Sequence, residues 1–163
     1  MDIYTVSFFG HRDFGALKSC ENKLTNIIKD LIREKYYVDF LVGRNGGFDQ
    51  FVSSTIKTVK KEYCSNNSSL TLVLPYYTAE YKNNEASFLN YYDEVEICQR
   101  SSVAHFKAAI GLRNCDMVDR SDLVICYIDR NYGGAYKAVN YAQKVGKTVI
   151  NLALMKETEE DAE

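Results

Sequence analysis

Three short segments of the sequence combine glycine with basic or amide side chains. They are Gly10-His11-Arg12, Gly43-Arg44-Asn45-Gly46-Gly47 and Gly133-Gly134. Each segment follows an apolar run that predicts a buried strand, and the second and third precede predicted helices. Glycine lets a phosphate approach the backbone, a helix N-terminus attracts anions, and an arginine fork matches phosphate or carboxylate oxygens. The three segments therefore predict a binding site for a polyanionic ligand.

The sequence around Gly133-Gly134 predicts how such a site is positioned. Residues 123–128 predict a strand, residues 135–145 a helix and residues 148–152 a second strand. In a unit of this kind the crossover is right-handed and the strands are parallel, so the glycine turn lies at the carboxyl end of the first strand. A tight connection without a ligand is the alternative interpretation of the two glycines.

The same alternation extends over the rest of the chain. Strands are predicted at residues 3–9, 38–42, 70–74 and 94–98, and helices at residues 17–36, 48–63 and 103–118. The inner face of the helix at 103–118 is predicted to consist of Val103, Phe106, Ala109, Ile110 and Met117. The tyrosine-rich residues 76–92 predict a partly helical excursion. The fold class is therefore α/β and Rossmann-like, a mostly parallel sheet with helices on both faces.

Three further side chains join the predicted site because ligands of open parallel sheets bind at the carboxyl edge, where the strand order reverses. Asp49 lies near the start of the second helix, and Arg113 and Asn114 lie in the helix at 103–118. Each has an alternative role: Asp49 caps its helix, and Arg113 and Asn114 pair with neighbouring loops. His11 likewise either contacts the ligand or fixes its own loop.

Composition indicates an ordinary globular protein. Of 163 residues, 46% are hydrophobic and 26% are charged. We expect one domain over residues 1–155 and a disordered acidic tail over residues 156–163. The net charge is −2, but the tail has one lysine and five acidic residues, which leaves about +2 on the domain. Surfaces that bind nucleic acid are usually strongly basic, so nucleic acid is disfavoured as a partner.

Several classes of protein are disfavoured by missing patterns. No apolar stretch approaches the ~20 residues of a membrane span, and the N-terminal residues lack the features of a secretory signal, so we expect no membrane association and a cytoplasmic location. The five cysteines are scattered and the two histidines lie far apart, so neither a disulfide framework nor a metal site is expected. No dinucleotide fingerprint or Walker sequence is present, so no cofactor is expected.

Four motifs in order resemble the SLOG superfamily. They are GHR at residues 10–12, GGFDQFV at 46–52, RNCDMVDRSDLVI at 113–125, and GGAYKAVNYA at 133–142 followed by GKTVI. Relatives in this superfamily include the YpsA-like proteins of the DUF1273 group, the cytokinin-activating LOG phosphoribohydrolases and the DNA-processing protein DprA. The resemblance covers about residues 3–152. It implies a Rossmann-like sheet that binds nucleotides or their derivatives.

The resemblance also implies roles for individual residues. Arg113 matches an arginine of the LOG enzymes, and residues 133–139 align with their motif Pro-Gly-Gly-x-Gly-Thr-x-Glu. This chain has Tyr136 and Lys137 in place of the later glycine and threonine, and Val139 in place of the catalytic glutamate. A valine neither transfers a proton nor stabilises an oxocarbenium ion, which disfavours cleavage of the LOG type. Lys137 is predicted to supply a different phosphate contact.

Three functional hypotheses follow. The first is a protein that binds a nucleotide-like small molecule, as a sensor or by sequestering it, without catalysis. The second is a nucleotide-processing enzyme, a hydrolase or a glycosyl or phosphoryl transferase, with Asp49 or Glu94 as acid or base. The third, disfavoured by the modest charge, is a nucleic-acid-binding module similar to DprA. A homo-oligomer is expected by resemblance, and the tyrosine-rich segment is a candidate for core, subunit contact or base stacking.

Overall fold

Six parallel strands form one sheet in the computed structural model, which describes residues 2–15, 18–63 and 66–155. In chain order they are β1 (Ile3–Gly10), β2 (Tyr37–Val42), β3 (Ser68–Leu74), β4 (Glu94–Ile97), β5 (Leu123–Tyr127) and β6 (Thr148–Asn151). Their order in the sheet is β4-β3-β2-β1-β5-β6. The predicted α/β, Rossmann-like class is confirmed. Leu17, Cys64 and the predicted tail at residues 156–163 lie outside the described residues.

Helices cover both faces of the sheet. They are α1 (Lys18–Glu34), α2 (Gly47–Glu62), α3 (Ala79–Asn83), α4 (Glu85–Tyr91), α5 (Gln99–Ser102), α6 (Phe106–Asp119) and α7 (Gly134–Lys144), and a 3-10 turn follows at Leu152–Leu154. One core lies under α1, α2 and α4, and the other lies under α6 and α7. In the described part of the chain, no helix is long and apolar enough to cross a membrane.

The central strands have apolar residues on both faces because both faces are covered. In β2, Phe40 packs into the first core, while Leu41 packs into the second. In β3, Leu72 and Val73 divide in the same way. The side chains of a strand alternate between its faces, so a continuous apolar run fills two cores at once. This pattern made the central strands predictable.

The strand order reverses between β1 and β5. From β1 the chain moves outward through β2 and β3 to β4, and then returns to the other side of β1 with β5. Gly10, the last residue of β1, pairs with Tyr127, the last residue of β5. The loops after these two strands therefore begin side by side and then diverge. A crevice opens between them.

The helix predicted at 103–118 differs in its bounds and in its buried face. Helix α6 begins only at Phe106 and ends at Asp119. Val103, Phe106 and Ile110 are 89%, 65% and 48% exposed. The prediction of these three residues as core is wrong, whereas Ala109 and Met117 are buried as predicted. The buried face is instead completed by Asn114 and Val118. A small residue and an amide hold core positions, so bulk alone identified the wrong face.

We predict that Gly10→Ala lowers the free energy of unfolding by about 1 to 3 kcal/mol, the usual cost of overpacking. A Cβ at Gly10 would lie 2.2 Å from Cγ of Phe48, a buried ring with no room to move aside. The matched control is Gly111→Ala on the exposed side of α6, where a Cβ meets nothing within 4 Å. That change should stabilise by about 0.5 to 1 kcal/mol. Urea titrations measure both, and equal stability of the two variants would contradict this packing.

Candidate ligand-binding crevice

A crevice of about 330 Å³ opens at the carboxyl ends of β1 and β5. The loops after β1, β2 and β5 reach it, and so does α6. Most of the predicted site residues line it: Gly10, His11, Arg12, Gly43, Asn45, Asp49, Arg113, Asn114, Gly133 and Gly134. The structure therefore brings the three glycine segments together. That these residues bind a ligand stays a prediction.

Two of the predicted glycines serve loop packing and do not line the crevice. The Gly47 N–H donates to the Arg12 carbonyl at 2.8 Å, and a Cβ at Gly47 would lie 2.6 Å from the Phe14 carbonyl oxygen. Gly46 has a φ of +152°, and the position of its Cβ is 3.2 Å from Cα of Arg12. The loop after β1 thus lies directly against the start of α2, and this contact allows no side chain on either glycine.

Two of the predicted basic residues lie away from the crevice. Arg44 turns toward the tyrosine-rich segment, where its Nε donates to Glu80 at 2.8 Å and its Nη1 donates to the Tyr92 hydroxyl at 3.1 Å. Lys137 is exposed on α7 and does not line the crevice either. The neighbour of Arg44, Asn45, faces the crevice instead. The structure does not bring Arg44 or Lys137 to the predicted site.

Asp49 and Arg113 meet at the end of β2. A Cβ at Gly43 would lie 2.9 Å from Oδ2 of Asp49 and 3.5 Å from Nη1 of Arg113, so only glycine leaves room for both groups. Arg113 is held in place because its Nη1 donates to the Val73 carbonyl and its Nε donates to Oδ1 of Asn114, both at 3.1 Å. The partners of Arg113 are thus a carbonyl of β3 and its own neighbour in α6, and not the neighbouring loops that the sequence suggested.

Burial shifts the pKa of both groups. Desolvation raises the pKa of Asp49 to about 6, although the nearby Arg113 and Arg12 oppose the rise. Desolvation also lowers the pKa of Arg113, and the charge of Asp49 opposes that shift. The crevice therefore contains a carboxyl group that titrates close to neutral pH. Glu94, the other predicted acid or base, is the first residue of the outer strand β4. It therefore lies at the amino end of that strand and is not brought to the crevice, which opens at carboxyl ends.

His11 presents an unpaired nitrogen. The side chain is 8% exposed, and its buried Nε2 has no hydrogen-bond partner among the described residues. Asp129 Oδ1 is 3.7 Å from that nitrogen, beyond hydrogen-bond distance. Burial lowers the pKa of His11, and Arg130 lowers it further. The neutral form of the imidazole is therefore favoured, and its buried Nε2 is left without a partner at the wall of the crevice.

Arg130 is a crevice residue that the sequence reasoning missed. Its Nη1 donates to both Asp13 oxygens, at 3.0 and 2.9 Å, and its Nε donates to Asp129 at 3.1 Å. This guanidinium joins the loop after β1 to the loop after β5 across the crevice. The signal was present in the sequence, because Arg130 comes two residues after the end of a predicted strand, as Arg44 does.

Helix α7 begins at the crevice without a capping side chain. Gly133, at its N-cap, has a φ of +99°, and a Cβ added to Gly134 would meet nothing within 4 Å. The first N–H groups of α7 therefore adjoin open space, where an anion is favoured by the helix dipole. Val139, at the position of the LOG glutamate, is 6% exposed and packs in the core below α7. This position supplies no acid or base to the crevice.

In the described ranges, no group of three or more His, Cys, Asp or Glu side chains is arranged so that it could bind a metal ion. Cys20, Cys98 and Cys126 are buried free thiols. Burial raises the pKa of Cys20 to about 11 and that of Cys126 to about 12. Cys20 and Cys126 are therefore packing residues in the unreactive protonated form.

We predict that Asp49→Asn changes the pH dependence of stability. Between pH 4 and 6 the folded protein keeps a proton on Asp49 that the unfolded chain releases, so the contribution of Asp49 to the free energy of unfolding falls as the pH rises. The variant lacks this proton, and its stability relative to the unmodified protein should rise by about 2 kcal/mol over this window and stay constant above it.

Urea titrations at several pH values measure this difference. Asp30→Asn, an exposed change on α1, is the control for the loss of one negative charge. A stability difference for Asp49→Asn that does not vary between pH 4 and 6, or that falls, would show that Asp49 is not held in a desolvated position.

No protein-family model matches this chain, and no curated protein matches it. Solved structures are similar to it in fold. The DNA processing protein A (DprA) of Streptococcus pneumoniae has a TM-score of 0.61 and 14% sequence identity over 90% of this chain. DprA of Helicobacter pylori, solved to describe its binding of single-stranded DNA, has a TM-score of 0.60 and 14% identity over 90% of this chain.

This chain spans 49% of the length of the first DprA chain and 63% of the second. At 14% identity the likeness shows that this chain shares the fold of these two DprA structures. The resemblance to the YpsA-like and LOG proteins stays a prediction. The prediction that nucleic acid is an unlikely partner is wrong, because a protein of this fold binds single-stranded DNA. Net charge sums the whole surface, whereas a strand contacts only part of it.

Proposed function

We propose that the crevice binds a nucleotide unit of a single-stranded nucleic acid. The observation that carries the proposal is the meeting of three strand-end loops at an uncapped helix N-terminus, at the point where the strand order reverses. Ligands of open α/β sheets bind at this position, and phosphates bind at helix N-termini of this kind. The fold shared with a protein that binds single-stranded DNA supports nucleic acid as the source of the phosphate.

The phosphate belongs at the start of α7. Gly134 leaves open space beside the first N–H groups, and the crevice is also lined by Arg12, which has no ion pair within the described part of the chain. Arg130 is held by two carboxylates, Asp13 and Asp129, so it orders the two loops rather than supplying unpaired charge. One phosphodiester therefore meets backbone donors and one available guanidinium.

A single strand fits this site better than a duplex. Tyr132 lines the crevice and is 68% exposed, so its ring can stack on an unpaired base. A volume of about 330 Å³ is at the lower end for small-molecule pockets and matches one nucleotide unit. In a duplex the base faces are stacked on one another, so none of them is free to stack on Tyr132.

A free nucleotide is the second candidate ligand. It is favoured by the polar floor of the crevice, where His11 Nε2 lacks a partner and Asp49 and Arg113 converge. These groups can bind a base edge or a ribose hydroxyl without any neighbouring nucleotide. The hypothesis of a sensor or sequestering protein requires this ligand, and it stays a prediction.

We predict that Gly134→Asp weakens binding of a labelled oligothymidylate at least tenfold in fluorescence anisotropy titrations. The carboxylate would occupy the phosphate position and repel the phosphate. Helix stability is not the cause, because an acidic residue in the first turn stabilises a helix. Gly111→Asp, which adds the same charge at an open position on α6, should leave the affinity unchanged.

The ligand is identified by parallel titrations with single strand, duplex and nucleoside monophosphates. For a single strand, the affinity should fall with salt with a log–log slope of about −0.7 for each phosphate contacted. Nucleoside monophosphates that bind as tightly as the oligonucleotide would favour the second candidate. Absence of oligonucleotide binding, or equal binding by the Gly134→Asp and unmodified proteins, would contradict the proposal.

A further inference from the structure

A second groove adjoins the crevice, and we propose that it binds the base of the next nucleotide of the same strand. We call it the tyrosine groove; it lies between α2 and the α3–α4 segment and has a volume of about 550 Å³. The proposal rests on the proposed function of the crevice and extends it. Asn45 lines both cavities, so the two sites share a wall.

Aromatic rings form the outer wall of the tyrosine groove. Tyr91 is 38% exposed, and its ring lies 4.8 Å from that of Tyr92 at an angle of 72°. The Phe88 ring lies behind them, 6.3 Å from Tyr92. Single-stranded nucleic acids bind to aromatic surfaces of this kind because every base has a stacking face. The tyrosine-rich sequence at 76–92 thus acquires a specific role beside its packing role.

Two cations lie against these rings. Lys57 Nζ is 3.8 Å from the centre of the Tyr91 ring and also donates to the Tyr91 carbonyl. The Arg44 guanidinium carbon is 4.0 Å from the centre of the Phe88 ring. Glu80 neutralises Arg44, whereas Lys57 has no ion pair within the residues that the structure describes. Lys57 does not line the groove itself, but it places a positive charge without a carboxylate partner beside the Tyr91 ring, where it attracts a phosphate.

A buried hydroxyl without a partner gives independent evidence for a ligand. Ser53 lines the tyrosine groove from α2 and is 2% exposed, and its Oγ has no hydrogen-bond partner among the described residues. An unsatisfied buried polar group costs free energy, and a base has ring nitrogens and exocyclic groups that pair with a hydroxyl. Exposed Gln50 and Ser54 extend this polar floor along the same helix.

The loop after β2 connects the groove to the crevice. Arg44 and Asn45 are consecutive residues in the loop after β2, and Arg44 lines the tyrosine groove while Asn45 lines both cavities. A strand whose phosphate lies at α7 passes over Asn45 to reach Tyr91. Its contacts there are a ring, a lysine and a hydroxyl, the groups that bind a base and the phosphate beside it.

The test compares Ser53→Ala with Ser68→Ala in binding of thymidine monophosphate and of longer strands, oligothymidylates of four and eight nucleotides. Ser68 is the matched control, because its Oγ is also buried and unpartnered but it begins β3, away from both cavities. Ser53→Ala should weaken the longer strands by about threefold, the loss of one hydrogen bond. It should leave the free energy of unfolding unchanged or higher, because it removes an unsatisfied group. Ser68→Ala should change no affinity.

A second pair tests the aromatic wall. Tyr91→Ala should weaken binding of the longer strands by about tenfold, the loss of one stacked base. Tyr63→Ala is its control. Tyr63 is 53% exposed, and Lys29 Nζ lies 5.1 Å from its ring centre, so it is also a tyrosine paired with a lysine. It follows the end of α2 and lines neither the crevice nor the tyrosine groove. Photo-crosslinking of 5-iodouracil strands gives a readout without substitution, and the modified peptide should contain Tyr91.

The outcomes separate the inference from the function on which it rests. If Gly134→Asp abolishes binding while the Ser53 and Tyr91 variants bind every length as the unmodified protein does, the groove inference fails and the proposed function stands. If the unmodified protein binds no strand, the proposed function fails and the inference with it. If the Ser53 and Tyr91 variants bind the longer strands more weakly but bind thymidine monophosphate as the unmodified protein does, both stand.

Discussion

The packing of the loop after β1 against the start of α2 leaves no space for a side chain, and the crevice depends on this contact. A Cβ at Gly10 would overlap Phe48, and a Cβ at Gly47 would overlap the Phe14 carbonyl. The same close approach carries Asp49, two residues beyond Gly47, to the end of β2 beside Arg113. Glycines that resembled a phosphate-binding loop in the sequence therefore have two roles. Some pack the loops, and Gly134 alone of these leaves open space beside a helix start.

Electrostatics in the crevice depend on which cations already have partners. Arg130 is bound by Asp13 and Asp129, and Arg44 is bound by Glu80, so both hold loops in place. Arg113 is anchored to the Val73 carbonyl and shares its surroundings with Asp49. This leaves a small positive region at a helix start within a surface of mixed charge. Such a region selects a ligand by position rather than by net charge, which explains why the overall charge misled.

The strands, their order along the chain and the glycine turns could be predicted from sequence because their signals are local. Apolar runs and glycine punctuation are properties of neighbouring residues. The buried face of α6 could be predicted only in part: Ala109 and Met117 follow the apolar pattern, whereas Asn114 is buried by the fold and not by any pattern of its own. Nor could the direction of Arg44, because its partner Glu80 is 36 residues away. Arg130 depends on Asp13, 117 residues away. Contacts of this range are set by the fold.

The central claim is that a single strand binds with a phosphate at the start of α7, and amide chemical shifts test its location directly. In ¹⁵N-labelled protein titrated with an unlabelled oligothymidylate, the account predicts the largest shifts at residues 133–135 and 11–13, which line the crevice. Smaller shifts should follow at Asn45 and Tyr91, which line the adjoining groove. Shifts confined to the residues before β2 and β3, around Tyr36 and Asn66, or no shifts at all, would contradict it.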